Sequence, residues 1–239
     1  MKAFLLAAGH GTRLRPYTDS APKCLLPVKG VPMLEIWLTQ CRRSGISEVL
    51  VNTHAHAAAV FDFARRWKDG MKVRIVEEPE LFGSAGTLRV NRSFVEGESR
   101  FWVFYADVLT TMDFQTMLES HLPGSAATLG VYSVPDPRRC GVVELGEQDT
   151  IVEFVEKPAQ PRSNLAFAGI MIGTPQLLDA IPDKPGADIA FDVLPRLAGK
   201  MRAFRIASYL LDIGTLENYE LANRTWPGIR QTTGGTLAK

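Results

Sequence analysis

A glycine-rich loop near the N-terminus carries residue types suited to phosphate chemistry. Residues 6–16 read LAAGHGTRLRP, and Pro22-Lys23 follow shortly after. Glycines directly after a strand let backbone N–H groups approach phosphate oxygens, and Arg13 can hold a polyphosphate through its forked donors. An isolated glycine turn would be the ordinary interpretation of such a string, but Arg13 and Lys23 together favour a phosphate site. The loop matches neither a Walker A motif nor a dinucleotide fingerprint.

The elements that must position this loop alternate between strands and helices. The predicted strands are 2–7, 47–52, 72–77 and 100–105, and the predicted helices are 32–44, 55–68 and a short one opened by the loop 83–86. This alternation predicts an α/β fold, with a Rossmann-like, mostly parallel sheet flanked by helices. Such sheets bind ligands at the carboxyl ends of their strands, where the loops 8–13, 83–87 and 106–113 lie.

The pattern changes after about residue 113. The elements predicted there are strands 126–133, 141–146, 150–155, 165–172 and 202–212, and helices 113–121, 174–181, 188–198 and 214–224. We interpret residues 1–225 as one domain, in which residues of about 113–225 complete the sheet and build a smaller second lobe. The Gly- and Thr-rich segment 226–239 is predicted to be a flexible tail.

Composition excludes several classes of protein. The chain has 239 residues, 46% of them hydrophobic and 22% charged, with a formal net charge of +1. This balance gives no electrostatic signature of a nucleic-acid or membrane partner. The three cysteines form no CxxC pair, and the N-terminal apolar run is shorter than a signal-peptide core. We therefore expect a cytoplasmic, soluble protein that is a monomer or homodimer.

The N-terminal string resembles the opening of the sugar-1-phosphate nucleotidyltransferase family, also called the NDP-sugar pyrophosphorylases. The resemblance extends from Met1 to about Arg224. It implies that the chain transfers a nucleoside monophosphate from an NTP to a sugar 1-phosphate and releases pyrophosphate. It further implies that Arg13 stabilises the leaving pyrophosphate and that Lys23 contacts the α-phosphate. The loop residues that it assigns to the nucleotide are Leu6, Ala7, Ala8, Gly9, Gly11 and Thr12.

Two aspartates match the metal-binding elements of this family. Asp107 follows the strand 100–105, and Asp212 lies in the string LDIGT just before the last predicted helix. The resemblance implies that both hold Mg²⁺, a hard cation that accepts one or two carboxylates together with phosphate oxygens. Each aspartate could instead serve as a helix cap or turn residue, and Asp113 is better explained as a cap.

Three further strings resemble the sugar side of the family: CGVV at 140–143, FVEKP at 154–158 and AGI at 168–170. They imply that residues of about 1–112 bind the nucleotide and residues of about 113–225 bind the sugar. Lys157 would neutralise the sugar phosphate, Glu156 would accept hydrogen bonds from sugar hydroxyls, and Gly141 and Gly169 would let backbone groups reach the sugar ring. Without that context, a Glu-Lys pair beside a strand is more often a solvated salt bridge.

The segment EEPELFGSAGT at 77–87 resembles the part of the family that reads the base. The residues assigned to it are Glu78, Gly83, Ser84 and Ala85. A carboxylate there could accept two N–H bonds from guanine, so GTP is favoured, although acidic residues also occur in UTP-using members. The best match is a short enzyme that uses GTP with mannose 1-phosphate or heptose 1-phosphate.

Four alternatives remain open. A UTP-using N-acetylmuramate 1-phosphate uridylyltransferase shares the same features. A catalytically silent nucleotide-sensing subunit would not need Arg13, Lys23 and both aspartates. A cytidylyltransferase acting on phosphocholine would need an aromatic box. A glycosyltransferase would ordinarily use an Asp-x-Asp metal site, whereas Leu109 stands two residues after Asp107.

Overall fold

The computed structural model describes residues 1–229, which fold around a nine-stranded sheet. The strands are β1 (Lys2–Leu6), β2 (Pro27–Val28), β3 (Val31–Pro32), β4 (Glu48–Thr53), β5 (Lys72–Glu77), β6 (Phe101–Tyr105), β7 (Val108–Thr110), β8 (Ala127–Ser133), β9 (Gly141–Leu145), β10 (Thr150–Glu156), β11 (Leu165–Gly173), β12 (Met201–Arg205) and β13 (Leu210–Asp212). The α-helices are α1 (Met33–Arg43), α2 (Ala57–Arg66), α3 (Ser84–Val90), α4 (Phe114–Glu119), α5 (Pro175–Asp179) and α6 (Leu216–Thr225).

The strands of the main sheet run in the order β5-β4-β1-β6-β11-β8-β12-β10-β9. The first four in this order are parallel, as the alternation of strands and helices predicts. Beyond β6 every neighbouring pair is antiparallel except β8 and β12. The α/β class is therefore confirmed, and the sheet is mixed rather than parallel along its whole width.

Burial on both faces of the sheet explains why its central strands are apolar throughout. Phe4 and Val103 pack into a cluster on one face, and Leu5, Phe104 and Trp37 pack into a second cluster on the other. All five side chains are at most 1% exposed. Helix α3 contributes to the first cluster, and α1 and α4 contribute to the second. The sheet is thus covered by helices on both sides.

The parallel pairing of β1 and β6 brings two chemically important loops together. Leu6 at the end of β1 pairs with Tyr105 at the end of β6. Because parallel strands end at the same edge of a sheet, the glycine loop and the segment that carries Asp107 leave that edge side by side.

Two of the elements predicted after residue 113 differ markedly from the structure. The predicted strand 202–212 is divided into β12, which belongs to the main sheet, and β13, which pairs only with β7. The predicted helix 188–198 is a five-residue π-helix, Ile189–Val193, followed by a 3-10 turn, Leu194–Leu197. Pro195 has no N–H to continue an α-helical ladder, which explains the break.

The start of the predicted tail belongs to the packed domain. Trp226 is 3% exposed and packs edge-to-face against Tyr209, at a ring distance of 5.3 Å. The rest of that prediction, residues 230–239, lies outside the described residues. The three cysteines form no disulfide. Within residues 1–229, no helix is both long and apolar enough to cross a bilayer.

Candidate functional site

A cavity of 330 Å³ opens above the ends of β1 and β6. It holds five of the six glycine-loop residues that the sequence assigns to the nucleotide, together with Arg13, Lys23 and Asp107. The residues lining it are Leu6, Ala7, Gly9, His10, Gly11, Thr12, Arg13, Lys23, Cys24, Ala106, Asp107 and Gly214. Ala8, also assigned to the nucleotide, is 7% exposed and is not part of this lining.

The glycine loop is held in shape by its own backbone. Gly11 has a left-handed backbone, with φ at 64°, and a Cβ there would stand 2.9 Å from Thr18 Cγ2. Its carbonyl accepts hydrogen bonds from Thr18 Oγ1 and from Leu14 N, each at 2.8 Å. Only glycine fits this position without strain. The turn directs Arg13 back across the cavity.

Arg13 lies over the backbone of Gly214, on the opposite wall. A Cβ at Gly214 would stand 2.9 Å from a terminal nitrogen of the Arg13 guanidinium and 2.7 Å from Asp212 Oδ1. Gly214 therefore makes room for the guanidinium beside the aspartate. Its N–H donates to Asp212 Oδ1 at 2.5 Å, which fixes that carboxylate.

The two aspartates are brought together by the small sheet of β7 and β13. Asp212 pairs with Val108, and Ile213 N donates to Asp107 O at 2.9 Å. Lys23 donates to Asp107 Oδ2 at 2.6 Å, with side-chain exposures of 12% and 31%. The positive charge of Lys23 thus offsets part of the repulsion between the two carboxylates.

The charge of Asp107 acts on Asp212. Desolvation among neighbouring protein atoms, and then the negative charge of Asp107, raise the pKa of Asp212 above its usual range. Lys23 and Arg13 oppose this shift. A cation between the two carboxylates would relieve their repulsion.

These two residues fit a magnesium site of the kind that is completed by a substrate. Within residues 1–229, no group of three His, Cys, Asp or Glu side chains could hold a metal by itself. Mg²⁺ bound with a nucleotide needs only one or two carboxylates, since phosphate oxygens and waters supply the other ligands. Asp107 and Asp212 meet that requirement, with Lys23 as a competing cation on Asp107.

A second cavity, of 290 Å³, adjoins the first and shares Arg13 and Asp107 with it. Its walls hold all four residues that the sequence assigns to the sugar phosphate, as well as Asp212. Its lining includes Arg13, Tyr105, Asp107, Arg139, Gly141, Glu156, Lys157, Gly169, Asp188, Phe191 and Asp212.

Glu156 and Lys157 form an ion pair inside this second cavity. Lys157 Nζ lies 3.6 Å from Glu156 Oε1, and the Glu156 side chain is 13% exposed. Burial raises the pKa of Glu156, whereas the Lys157 ammonium opposes the rise. A Cβ at Gly141 would stand 2.7 Å from Glu156 Oε2, so glycine there leaves room for the carboxylate. The pair offers one acceptor and one cation to a ligand.

The prediction that Glu78 reads the base is not supported by its position. Glu78 is 1% exposed, and its carboxylate accepts hydrogen bonds from Asn52 Nδ2 at 2.8 Å, Thr87 Oγ1 at 2.5 Å and Phe82 N at 3.1 Å. Asn52 in turn accepts from Ala7 N at 2.7 Å. A buried carboxylate needs such donors. Glu78 therefore connects the glycine loop to α3 instead of facing a ligand.

The segment Gly83–Ala85 packs against the second lobe beside the cavities. The N–H groups of Ala85 and Gly86 donate to Ala187 O at 2.9 and 3.1 Å. A Cβ at Gly83 would stand 2.4 Å from the same oxygen, so only glycine allows this contact. Nucleotide contacts by Gly83, Ser84 and Ala85 stay a prediction.

Among the residues that line the second cavity, sequence reasoning missed Tyr105, Arg139, Asp188 and Phe191. Asp188 accepts from Ser84 Oγ at 2.8 Å and from Ala190 N and Phe191 N at 2.8 and 2.9 Å. Burial, and then the charge of Asp188, raise the pKa of Tyr105. The available signal is that Asp188 stands at the start of a helical pattern. Such a position predicts a helix cap but does not predict that the residue lines a cavity.

Two polar cavities meet at a shared arginine and aspartate, so the site has room for two ligands side by side. Comparison with known proteins identifies the family of the chain. The sequence model described as "Nucleotidyl transferase" matches residues 2–227, and the chain belongs to this family. The expected family is thereby confirmed.

Relatives agree with this membership. The mannose-1-phosphate guanylyltransferase of Mycobacterium tuberculosis is 33% identical over 224 residues, which are 91% of this chain and 62% of that protein. The chain thus spans less than two thirds of that relative's length. A Bacillus anthracis structure described as a glucose-1-phosphate thymidylyltransferase has a TM-score of 0.86 and 26% identity, and covers 97% of both chains. The UDP-glucose pyrophosphorylase of Acinetobacter baumannii has a TM-score of 0.82 and 23% identity, and the match covers 93% of this chain and 91% of that chain. At this level of identity, the similarity supports the fold alone.

Proposed function

We propose that this protein transfers a nucleoside monophosphate from an NTP to a sugar 1-phosphate and releases pyrophosphate. The observation that carries the proposal is that the two cavities meet at Arg13 and Asp107. A nucleotide in the first cavity and a sugar phosphate in the second would place their phosphates at this junction. Such proximity is the main requirement of a transfer between two bound phosphates.

Each charged residue at the junction has a task in this reaction. Arg13 would bind the leaving pyrophosphate with its forked donors, and Lys23 would turn from Asp107 to the α-phosphate. Asp107 and Asp212 would hold Mg²⁺, which neutralises charge on the phosphates when it is bound. Positioning and charge stabilisation therefore supply the catalysis.

The second cavity would orient the attacking phosphate. Lys157 would pair with the sugar phosphate, and Glu156 would accept hydrogen bonds from sugar hydroxyls. The phosphate oxygen attacks the α-phosphorus in line while the bond to the β-phosphate oxygen breaks. No general base is needed because the attacking phosphate is already anionic.

For the substrates, we propose GTP with mannose 1-phosphate or heptose 1-phosphate. The support is the guanylyltransferase activity named for the M. tuberculosis relative, since the buried position of Glu78 removes the sequence argument for guanine. UTP with N-acetylmuramate 1-phosphate is the alternative. We also propose that the protein acts in the cytoplasm as a monomer or homodimer, without nucleic-acid or membrane partners.

Pyrophosphate release tests the proposal. The four NTPs, with Mg²⁺, would be combined with the 1-phosphates of mannose, glucose, heptose, N-acetylglucosamine and N-acetylmuramate. Release with one pair identifies both substrates, and Asp107→Ala should abolish it. Asp113→Asn is the matched control, because Asp113 caps α4 through Gln115 N and lines neither cavity. Near-normal turnover of Asp107→Ala would overturn the mechanism.

A further inference from the structure

Phe191 places an exposed aromatic ring at the second cavity. Phe191 is 56% exposed, whereas Ile189 and Val193 of the same π-helix are buried. Single exposed apolar residues are common and need no explanation by themselves. Phe191, however, lines the cavity that also holds Glu156 and Lys157. An apolar surface within a polar, charged cavity points to a ligand with both kinds of surface.

The backbone that carries this ring is fixed by hydrogen bonds. Asp188 Oδ1 accepts from the N–H groups of Ala190 and Phe191, and Asp188 Oδ2 accepts from Ser84 Oγ at 2.8 Å. The N–H of Asp188 itself donates to Asp192 Oδ2 at 2.8 Å. These contacts hold the short π-helix against α3. The ring is therefore presented by a rigid element, which lowers the entropy lost on binding.

The position of Lys157 shows which face of the ring is open to the cavity. Lys157 Nζ lies over the Phe191 ring at 5.4 Å from its centre, within cation–π distance. The backbone N–H of Lys157 donates to Cys140 O at 2.9 Å, so its main chain is anchored at the cavity wall. When Lys157 turns to a sugar phosphate, it leaves this face of the ring free.

We infer that Phe191 is a specificity-determining residue whose ring packs against the C–H face of the sugar of the bound sugar 1-phosphate; this inference rests on the proposed function. A pyranose has a rim of hydroxyls and two faces with C–H groups, and aromatic rings bind the C–H faces. Glu156 would accept from the hydroxyl rim while Phe191 covers a face. Together they would select a sugar ring over a simple phosphate.

The test compares variants that keep or remove the aromatic face. Phe191→Leu keeps an apolar side chain and should raise KM and Kd for the sugar 1-phosphate by roughly 3- to 10-fold, the range that aromatic contacts provide. KM for the NTP and kcat should change less than about 2-fold by the same reasoning. Phe191→Tyr and Phe191→Trp should restore tight binding. Phe61→Leu is the matched control, because Phe61 is 36% exposed on α2 and lines neither cavity.

Calorimetry with the sugar 1-phosphate separates the inference from the proposed function. Binding that weakens in Phe191→Leu and recovers in Phe191→Trp supports the inference even if no pyrophosphate is released. Normal turnover with unchanged sugar affinity in Phe191→Leu overturns the inference and leaves the proposed function intact. Equal losses in Phe191→Leu and Phe191→Trp would also overturn it, because the aromatic face would then be irrelevant. Absence of both binding and turnover in the wild type would overturn both.

Discussion

Replacing Lys23 with methionine should have opposite effects on metal binding and on turnover. Lys23 Nζ donates to Asp107 Oδ2 at 2.6 Å. A divalent cation that binds before the nucleotide must therefore displace an ammonium group from its ligand. Methionine has a similar length and no charge, so it should fill the same space without competing. The variant should bind the cation more tightly, although it lacks the contact proposed for the α-phosphate.

The size of the effect follows from the ion pair. A hydrogen bond between charged groups contributes about 1.5–3 kcal/mol. Because Asp107 is 31% exposed, solvent screening reduces this contribution to about 1–2 kcal/mol. Removal of the competing ammonium should therefore tighten cation binding by about 5- to 30-fold. Turnover should fall by about 10²- to 10³-fold, as is typical when a group that stabilises developing charge is removed.

Titration with Mn²⁺, followed by electron paramagnetic resonance without nucleotide, measures the first effect directly. Lys184→Met is the matched control: it removes the same charge and an ion pair of the same length, 2.6 Å to Asp192. Its Mn²⁺ affinity should equal that of the wild type. Unchanged or weaker Mn²⁺ binding in Lys23→Met would refute the competition between Lys23 and the metal.

Four other predictions concern the glycine loop and the buried carboxylates. Gly11→Ala should lower the free energy of unfolding by about 1–2 kcal/mol and weaken NTP binding, because of its left-handed φ and the contact with Thr18; chemical denaturation and calorimetry would measure this. Glu78→Gln should lower the free energy of unfolding by about 1–3 kcal/mol, because it disturbs the hydrogen bonds with Asn52, and it should not change the preferred base. A change of the preferred base would show that Glu78 does contact the base. Sugar 1-phosphate affinity should fall as the pH falls through the raised pKa of Glu156, since the protonated carboxyl is a poorer acceptor. The raised pKa also means that ionisation of Glu156 opposes folding, so Glu156→Gln should raise the Tm relative to the wild type above that pKa. This gain should vanish below the ordinary glutamate pKa of 4.5.

The sequence predicts the parts of the fold that local pattern determines. β5 has the predicted bounds, and α1 ends before Gly45, whose φ of 71° suits a helix stop. The expectation that the glycine loop and Asp107 lie at one edge of the sheet is confirmed, because the parallel strands β1 and β6 end together. These features depend on residues that are close in sequence or on a general rule of sheet topology.

The rest depends on contacts that no local pattern encodes. Glu78 lies in a string that resembles a base-reading segment, but Asn52 and Thr87 reach it from other elements and bury it. The exposure of Phe191 at a cavity depends on the cap from Asp188 and on the distant Ser84. The break between β12 and β13 is equally non-local, because β13 pairs with β7 instead of continuing in the main sheet.

The pairing of β7 with β13 also determines when the candidate site can be complete during synthesis. Asp107 and the glycine loop leave the ribosome early, whereas Asp212 and Gly214 come close to the end of the described chain. Until the three residues of β13 have paired with β7, the nascent site has only the carboxylate of Asp107, and Gly214 is not yet in place beside Arg13. A partly made chain can therefore fold its glycine loop without the second carboxylate that we propose for the metal. Chains truncated before residue 210 should share this property and remain inactive however well they fold.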